Sequence, residues 1–405
     1  MWPRLRLSLY VFFLTAPLSM FAQTDAPPDP VKTLVDRLDL EKYKATIKGL
    51  TQFGDRRQGT DRNRAAVDWI QAQLESYGCP TERIKYVYDP PPPNPNAGRG
   101  RGNTGLAQGG GKPRGVRTPT GVNTDPMKQP DEKLRALNTQ PTTPGPREAV
   151  YCTKIGATRP DEMYIVSAHM DGHGWGEAAN DDGSGTALVM EVARVLSGAD
   201  VQTERTIRFI LWNNEETGSQ AARAYIAQRQ PLQGKEDPPG SGKYSEPKWL
   251  GMIQHDMMLF DHGMPNADGT MRSEQRPEAD VNIEFQVSAK MAAESQKLAW
   301  IFEVANEKYA TDYPASVGSH MTNTDSGPFQ DLIPSISLRE NERGTQIGSG
   351  WDPQWHQPTD VYATYNDKDF RLGLNAAQTT LAAVAGLTGA TVKKQPAIRN
   401  YGIWN

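Results

Sequence analysis

Two hydrophobic periods alternate along most of this chain. Residues 31–51 place Leu34, Leu38, Tyr43, Ile47 and Leu50 at helical spacing, and 61–77 set Val67, Ile70 and Leu74 on one face before the stop signal of Gly78 and Pro80. Residues 83–88 alternate as a strand does. After a long interruption, 148–155 and the nearly all-apolar 163–168 read as strands, 184–196 as a helix carrying Leu188, Val192, Val195 and Leu196, 206–212 as a strand and 219–228 as a helix. Strands follow at 249–254, 281–287 and 335–338, with helices at 292–309 and 367–387 and polar loops at 235–244 and 263–280. Strands that alternate with helices predict an α/β domain, with a mixed, mostly parallel central sheet and helices on both faces.

The interruption, 90–146, has a Pro run at 90–93, Gly-Arg-Gly-Arg-Gly at 98–102 and a Gly run at 109–111, and carries no hydrophobic period. Such a segment buries too little apolar surface to offset its ordering entropy, which predicts a disordered surface insertion. Arg99, Arg101, Lys112, Arg114 and Arg117 make it locally basic; a solvated tether is the plainer reading than a contact arm for an acidic surface. At the start, a short basic stretch leads into an apolar run, 7–22, interrupted by Pro17 and Ser19. This reads as a signal peptide over 1–22, too short for a comfortable bilayer span, and so predicts a secreted or periplasmic protein without stable membrane insertion after cleavage. A single domain is then expected over 23–393, with an irregular tail at 394–405.

Composition adds limits. Of 405 residues, 37% are hydrophobic, a low share that the Gly- and Pro-rich loops account for, and the net charge of −4 gives no basic surface that predicts a nucleic-acid partner. The chain has two cysteines, Cys79 and Cys152. Export permits a disulfide between them, buried free thiols are the alternative, and geometry decides. Oligomeric state is not legible.

The chemistry gathers between 167 and 218. Ser-Ala-His-Met-Asp at 167–171 ends a buried strand, Ala-Asn-Asp-Asp-Gly-Ser-Gly at 179–185 opens a helix, and Glu215-Glu216 follow the strand at 206–212. Strand ends are where an α/β sheet presents its site. His169 is placed to point into that crevice, with Asp171 positioned to hold the imidazole's other nitrogen. Adjacent Glu215 and Glu216 point different ways, so one can bind a metal while the other addresses water. Asp256 ends another strand, and His356 sits in a late loop near Asp360. These residues make most of a zinc site that activates water for peptide-bond hydrolysis.

In this order the blocks resemble the secreted co-catalytic di-zinc exopeptidases, a family that includes bacterial leucyl aminopeptidases, glutamate carboxypeptidases and glutaminyl cyclases; the resemblance covers roughly 31–387 apart from the insertion. It implies two zinc ions. His169 would bind one of them and Asp181 would bridge both; Glu216 would bind one and Asp256 the other, and His356 would complete the set. It further implies that Glu215 is the general base and acid, that Asp171 orients His169, and that Asp181–Asp182 is a cis peptide. Residues 324–329 resemble the family's pocket wall, with Ser326 where the family often has His. His173, His255, His262 and His320 are expected not to be ligands, His173 being the substitute should His169 fail. Trp175, Trp351 and Trp355 flank the site. Arg339 and Arg343 are candidates for a substrate carboxylate, and Glu340, Glu342 and Asp352 for a free amine, though a solvated loop is the simpler expectation for each. The expected activity is aminopeptidase, on a peptide substrate. A carboxypeptidase or dipeptidase, a one-zinc glutaminyl cyclase and an inactive binding protein are the rivals.

Overall fold

The structure, a computed structural model, describes residues 29–89, 121–261, 281–319, 324–340 and 352–393. The expected signal peptide 1–22, residues 90–120 of the expected insertion, residues 263–280 and 394–405, and His262, His320, Glu342, Arg343 and Trp351 lie outside the described residues.

The described chain runs α1 (Pro30–Val35), α2 (Leu40–Thr51), α3 (Asp61–Ser76), β1 (Thr81–Tyr88), α4 (Glu132–Asn138), β2 (Gly145–Lys154), β3 (Arg159–His169), α5 (Gly183–Leu196), β4 (Val201–Gln202), β5 (Arg205–Trp212), α6 (Gln220–Arg229) and β6 (Lys248–His255). It continues through β7 (Val281–Glu284), α7 (Ala292–Tyr309), β8 (Ala315–Gly318), β9 (Ser335–Glu340), α8 (Asp367–Thr388) and β10 (Thr391–Val392). Among the described residues, eight strands form one sheet in the order β1-β2-β5-β3-β6-β9-β7-β8. The centre, β5-β3-β6-β9, is parallel, and the β1-β2 hairpin joins it antiparallel. This is the mixed, mostly parallel sheet that the two hydrophobic periods predict.

Strand periodicity divides the core in two. On β5, Ile207, Phe209 and Leu211 join the larger cluster with α2, α3, α5, α7 and α8, while Ile210 and Trp212 turn to a smaller one with Tyr225 of α6, Trp249 and Phe329. Helix α5 is buried everywhere but Arg194. A helix buried on nearly every side sits inside a domain, and Asp182 at its N-terminus accepts from the amides of His169 and Met257, which sets that end against the carboxyl ends of β3 and β6. Cys79, just before β1, is bonded to Cys152 of β2 with their Cα atoms 5.6 Å apart.

Three expectations change. The helical stretch 31–51 is two helices, because Asp39 caps α2 by accepting from the amides of Glu41 and Lys42. The strand expected at 281–287 stops at Glu284. The third change concerns the described part of the insertion, 121–146, which the sequence predicts to be disordered. From residue 121 the chain is ordered and includes α4, and β2 already begins at Gly145. Side-chain hydrogen bonds to backbone hold this part: Gln129 donates to the carbonyls of Trp175 and Pro358, each at 2.8 Å, and Asn138 to that of Gly176 at 2.8 Å.

Candidate metal centre

The sheet delivers the site residues by register. His169, the last residue of β3, lies level with Trp212 of β5, and Ala168 lies level with His255 of β6. One residue beyond those neighbours the chain turns into Asn213–Glu216 on one side and Asp256 on the other. Asp182 pins the junction. Its Oδ2 accepts from the His169 amide at 3.1 Å, while its Oδ1 accepts from Gly185 at 2.8 Å, capping α5, and from Met257 at 3.2 Å. Asp181 precedes it across a cis peptide bond. Asp360 holds the same segment from the far side, accepting the amides of Asn180 at 2.8 Å and Asp181 at 3.1 Å. The Glu-Glu turn is set by Asn213, which exchanges two hydrogen bonds with Asn63, and by Tyr86, whose hydroxyl donates to the Asn214 side chain at 2.9 Å.

The side chains then converge. Asp181 turns one oxygen to each of two imidazoles: Oδ1 lies 3.3 Å from His169 Nε2, and Oδ2 lies 3.0 Å from His356 Nε2. Asp256 Oδ1 is 3.7 Å from His169 Nε2, and Glu216 Oε2 is 2.9 Å from His356 Nε2. Zinc bonds its nitrogen and oxygen donors at ~2.0–2.1 Å, so donors on a tetrahedron stand about 3.3 Å apart, close to these separations. Buried atoms without a hydrogen bond include Asp181 Oδ2, Glu216 Oε1 and His356 Nδ1. Three groups of donor atoms, each within 4.8 Å of one another, have metal-binding composition: His169–Asp182–Asp256, His169–Asp181–Glu216 and His173–Glu216–His356. The donor set therefore fits zinc.

The electrostatics point the same way. Burial alone would raise Glu216, yet the imidazoles of His173 and His356 hold it at about 2. Burial also opposes Asp256, which Arg339 and His169 hold at about 2. Burial works against charge on His356, but Glu216 and Asp181 push it up to about 10. In each case one group takes a charge because another supplies its opposite, which is the service a cation performs. Glu215 behaves differently: burial, with Asp325, Glu216 and Asp256 nearby, raises its carboxyl well above the usual range against the pull of His169.

The seven residues expected at the site come together, with one change in how. His169 Nδ1 meets the main-chain oxygen of Asp171 at 2.9 Å, while the Asp171 carboxylate stands 3.9 Å away and accepts instead from the Glu215 amide at 3.1 Å. Asp171 thus holds the imidazole through its backbone and the Glu-Glu turn through its side chain. Arg339 is not a free carboxylate binder, since it pairs with Asp256 at 2.9 Å. Nor do Glu340 and Asp352 await an amine: both accept from the Asn180 side chain, Asp352 at 2.8 Å. Of the remaining histidines, His255 turns away to Ser167 and Thr380. His173, however, lies inside the site, with Nε2 2.9 Å from Glu216 Oε2. Sequence reasoning also missed Arg56, fully buried, whose guanidinium donates to the carbonyls of Met170, Glu177 and Ala178 and so fixes the loop that carries His173. An open cleft beside the donors is lined by Arg57, Gln58, Asn123, Trp175 and Thr217 together with Asp171, His173 and Glu216.

Comparisons with known proteins bear on the family and the fold. A sequence model of peptidase family M28 matches residues 150–380, over half of the chain. Carboxypeptidase Q of Xenopus laevis is 34% identical over 71 residues, 18% of this chain and 15% of that protein. Aminopeptidase YwaD of Bacillus subtilis (strain 168) is 30% identical over 112 residues, 28% of this chain and 23% of that protein. The matched stretches therefore span less than a quarter of either relative's length. The structure resembles that of BSAP, a zinc aminopeptidase from Bacillus subtilis, with a TM-score of 0.59 at 18% identity over 89% of this chain and 97% of the other. It also resembles Porphyromonas gingivalis glutaminyl cyclase, with a TM-score of 0.53 at 16% identity over 87% of this chain and 100% of the other. At these identities the likeness is one of fold.

Proposed function

The chain belongs to peptidase family M28, and on that premise we propose that it is a secreted, zinc-dependent aminopeptidase that hydrolyses N-terminal peptide bonds. The observation that carries the reading is Asp181, whose two carboxylate oxygens each face a different imidazole. One carboxylate set between two nitrogen donors is what a bridged pair of cations needs. His169 and Asp256 would hold one zinc ion and Glu216 and His356 the other, with Asp181 placed between the two sets. When bound, such a pair polarises the scissile carbonyl and lowers the pKa of water. Glu215 stays off the metals, takes the proton from the attacking water and passes it to the leaving amine; burial raises its pKa above the usual carboxylate range, the direction that favours taking up a proton. Asp171 keeps Glu215 in place through the Glu215 amide. With this set complete, an inactive binding protein is disfavoured.

Export is supported by the Cys79–Cys152 disulfide, which persists in oxidising compartments. No described helix is long and apolar enough to cross a membrane. Arg57 in the cleft favours one second reading, a carboxypeptidase that grips the substrate's terminal carboxylate. The test is a hydrolysis panel, with and without chelator: amino-acid nitroanilides, N-blocked peptides with a free carboxylate, and a peptide with N-terminal Gln. The reading expects chelator-sensitive cleavage of the nitroanilides. Turnover confined to the blocked peptides would establish the carboxypeptidase instead, and pyroglutamate formation alone the cyclase.

A further inference from the structure

We propose that His173 is an additional ligand of the cation held by Glu216 and His356, so that the two sites of the pair are unequal, one built on a single imidazole and the other on two. This rests on the reading of the site above and goes beyond its ligand set. His173 Nε2 lies 2.9 Å from Glu216 Oε2, and Glu216 Oε2 lies 2.9 Å from His356 Nε2. The three form a group of metal-binding composition with donor atoms within 4.8 Å of one another. Despite its closeness to Glu216, His173 Nε2 is buried and makes no hydrogen bond of ordinary geometry. Atoms that crowd together without bonding to each other are arranged around a shared point, and a ring nitrogen aimed there brings a lone pair or a proton.

The placement of His173 is built rather than incidental. Its ring packs edge-on against that of His356, centroids 4.1 Å apart at 89°. The next residue, Gly174, has φ +98°, and a Cβ there would fall 2.4 Å from the main chain of His356. Only glycine allows that approach, so the loop bearing His173 is held backbone to backbone against the loop bearing His356. Arg56 fixes the same loop from behind. A second imidazole makes this site more nitrogen-rich than the His169–Asp256 site. Such a site selects borderline cations such as zinc or cobalt over manganese, whereas its oxygen-rich partner discriminates less.

The test uses the metal-stripped full chain and zinc alone, titrated against a chromophoric chelator, with thermal unfolding of the metal-free proteins as the control for folding. The wild type binds two zinc ions. His173→Ala keeps one of them unchanged and binds the other about 10-fold more weakly or worse, since even outer-shell partners of metal ligands are worth ~10–100-fold. His173→Cys, loaded with cadmium, gains a thiolate-to-cadmium absorption band that the wild type lacks. Unchanged zinc affinities in His173→Ala together with no cadmium–thiolate band overturn the inference, and a rise in KM with unchanged zinc binding reassigns His173 to substrate contact. A wild type that binds fewer than two zinc ions fails the underlying reading first, and this inference with it.

Discussion

At the scale of single residues, the account separates groups that hold cations from one that moves a proton. Glu215→Gln removes the proton acceptor and leaves the donors of Asp181, Glu216, Asp256, His169 and His356 in place. The expected result is unchanged zinc content and a kcat lower by about 10²–10⁴-fold, the range for a general acid–base group. Metal loss with activity intact would reverse the roles of Glu215 and Glu216. His255 makes a different prediction, of stability. Burial holds its imidazole down at about 4, although Ser167 bonds to it. Between the unfolded value of ~6.5 and that value, the unfolded chain takes a proton the folded chain refuses, so stability falls as the pH drops through this window, by about 3 kcal/mol in all. His255→Gln should flatten the acid limb of stability against pH by roughly one proton; an unchanged slope would mean that His255 is not the group responsible.

At the scale of elements, much was legible and the remainder has a physical reason. His169, Glu215, Glu216 and Asp256 follow apolar strands, so a period of two placed them at strand ends before any coordinates. His173, Arg56 and Asp360 were not readable as site-builders. Their roles depend on where the loops 170–178 and 352–360 approach each other, and no periodicity in sequence reports a contact between distant loops. The ordered part of the insertion was hidden for a related reason. Residues 121–146 are fastened by side-chain amides to backbone carbonyls, and hydrophobic patterning does not register such bonds. Asn138 is the sharpest instance: it accepts the Asp55 amide at 3.1 Å and donates to Gly176 at 2.8 Å, and it is buried. Asn138→Ala leaves two backbone groups unpaired and should cost about 2 kcal/mol in unfolding free energy, read as a lower denaturation midpoint. A midpoint equal to wild type would show that α4 is not tied to the site loop through this residue.

At the scale of the whole molecule, the parallel centre of the sheet sets β5, β3 and β6 side by side, and the late loop with His356 closes over their carboxyl ends. That topology follows from the alternation of strand and helix, and the motif order pointed to the same family that the matched region identifies. The buried carboxylates gathered there outnumber the imidazoles, and a charge excess of this kind is tolerable in a protein interior only when cations offset it. Asp181 is the hinge of the account because its two oxygens face two different imidazoles, those of His169 and His356. The most direct measurement is therefore the zinc content of the purified protein beside that of Asp181→Ala, by elemental analysis after removal of loosely held metal. The account predicts two zinc ions per chain in the wild type and fewer than one in the variant; two retained without Asp181, or at most one in the wild type, would contradict it.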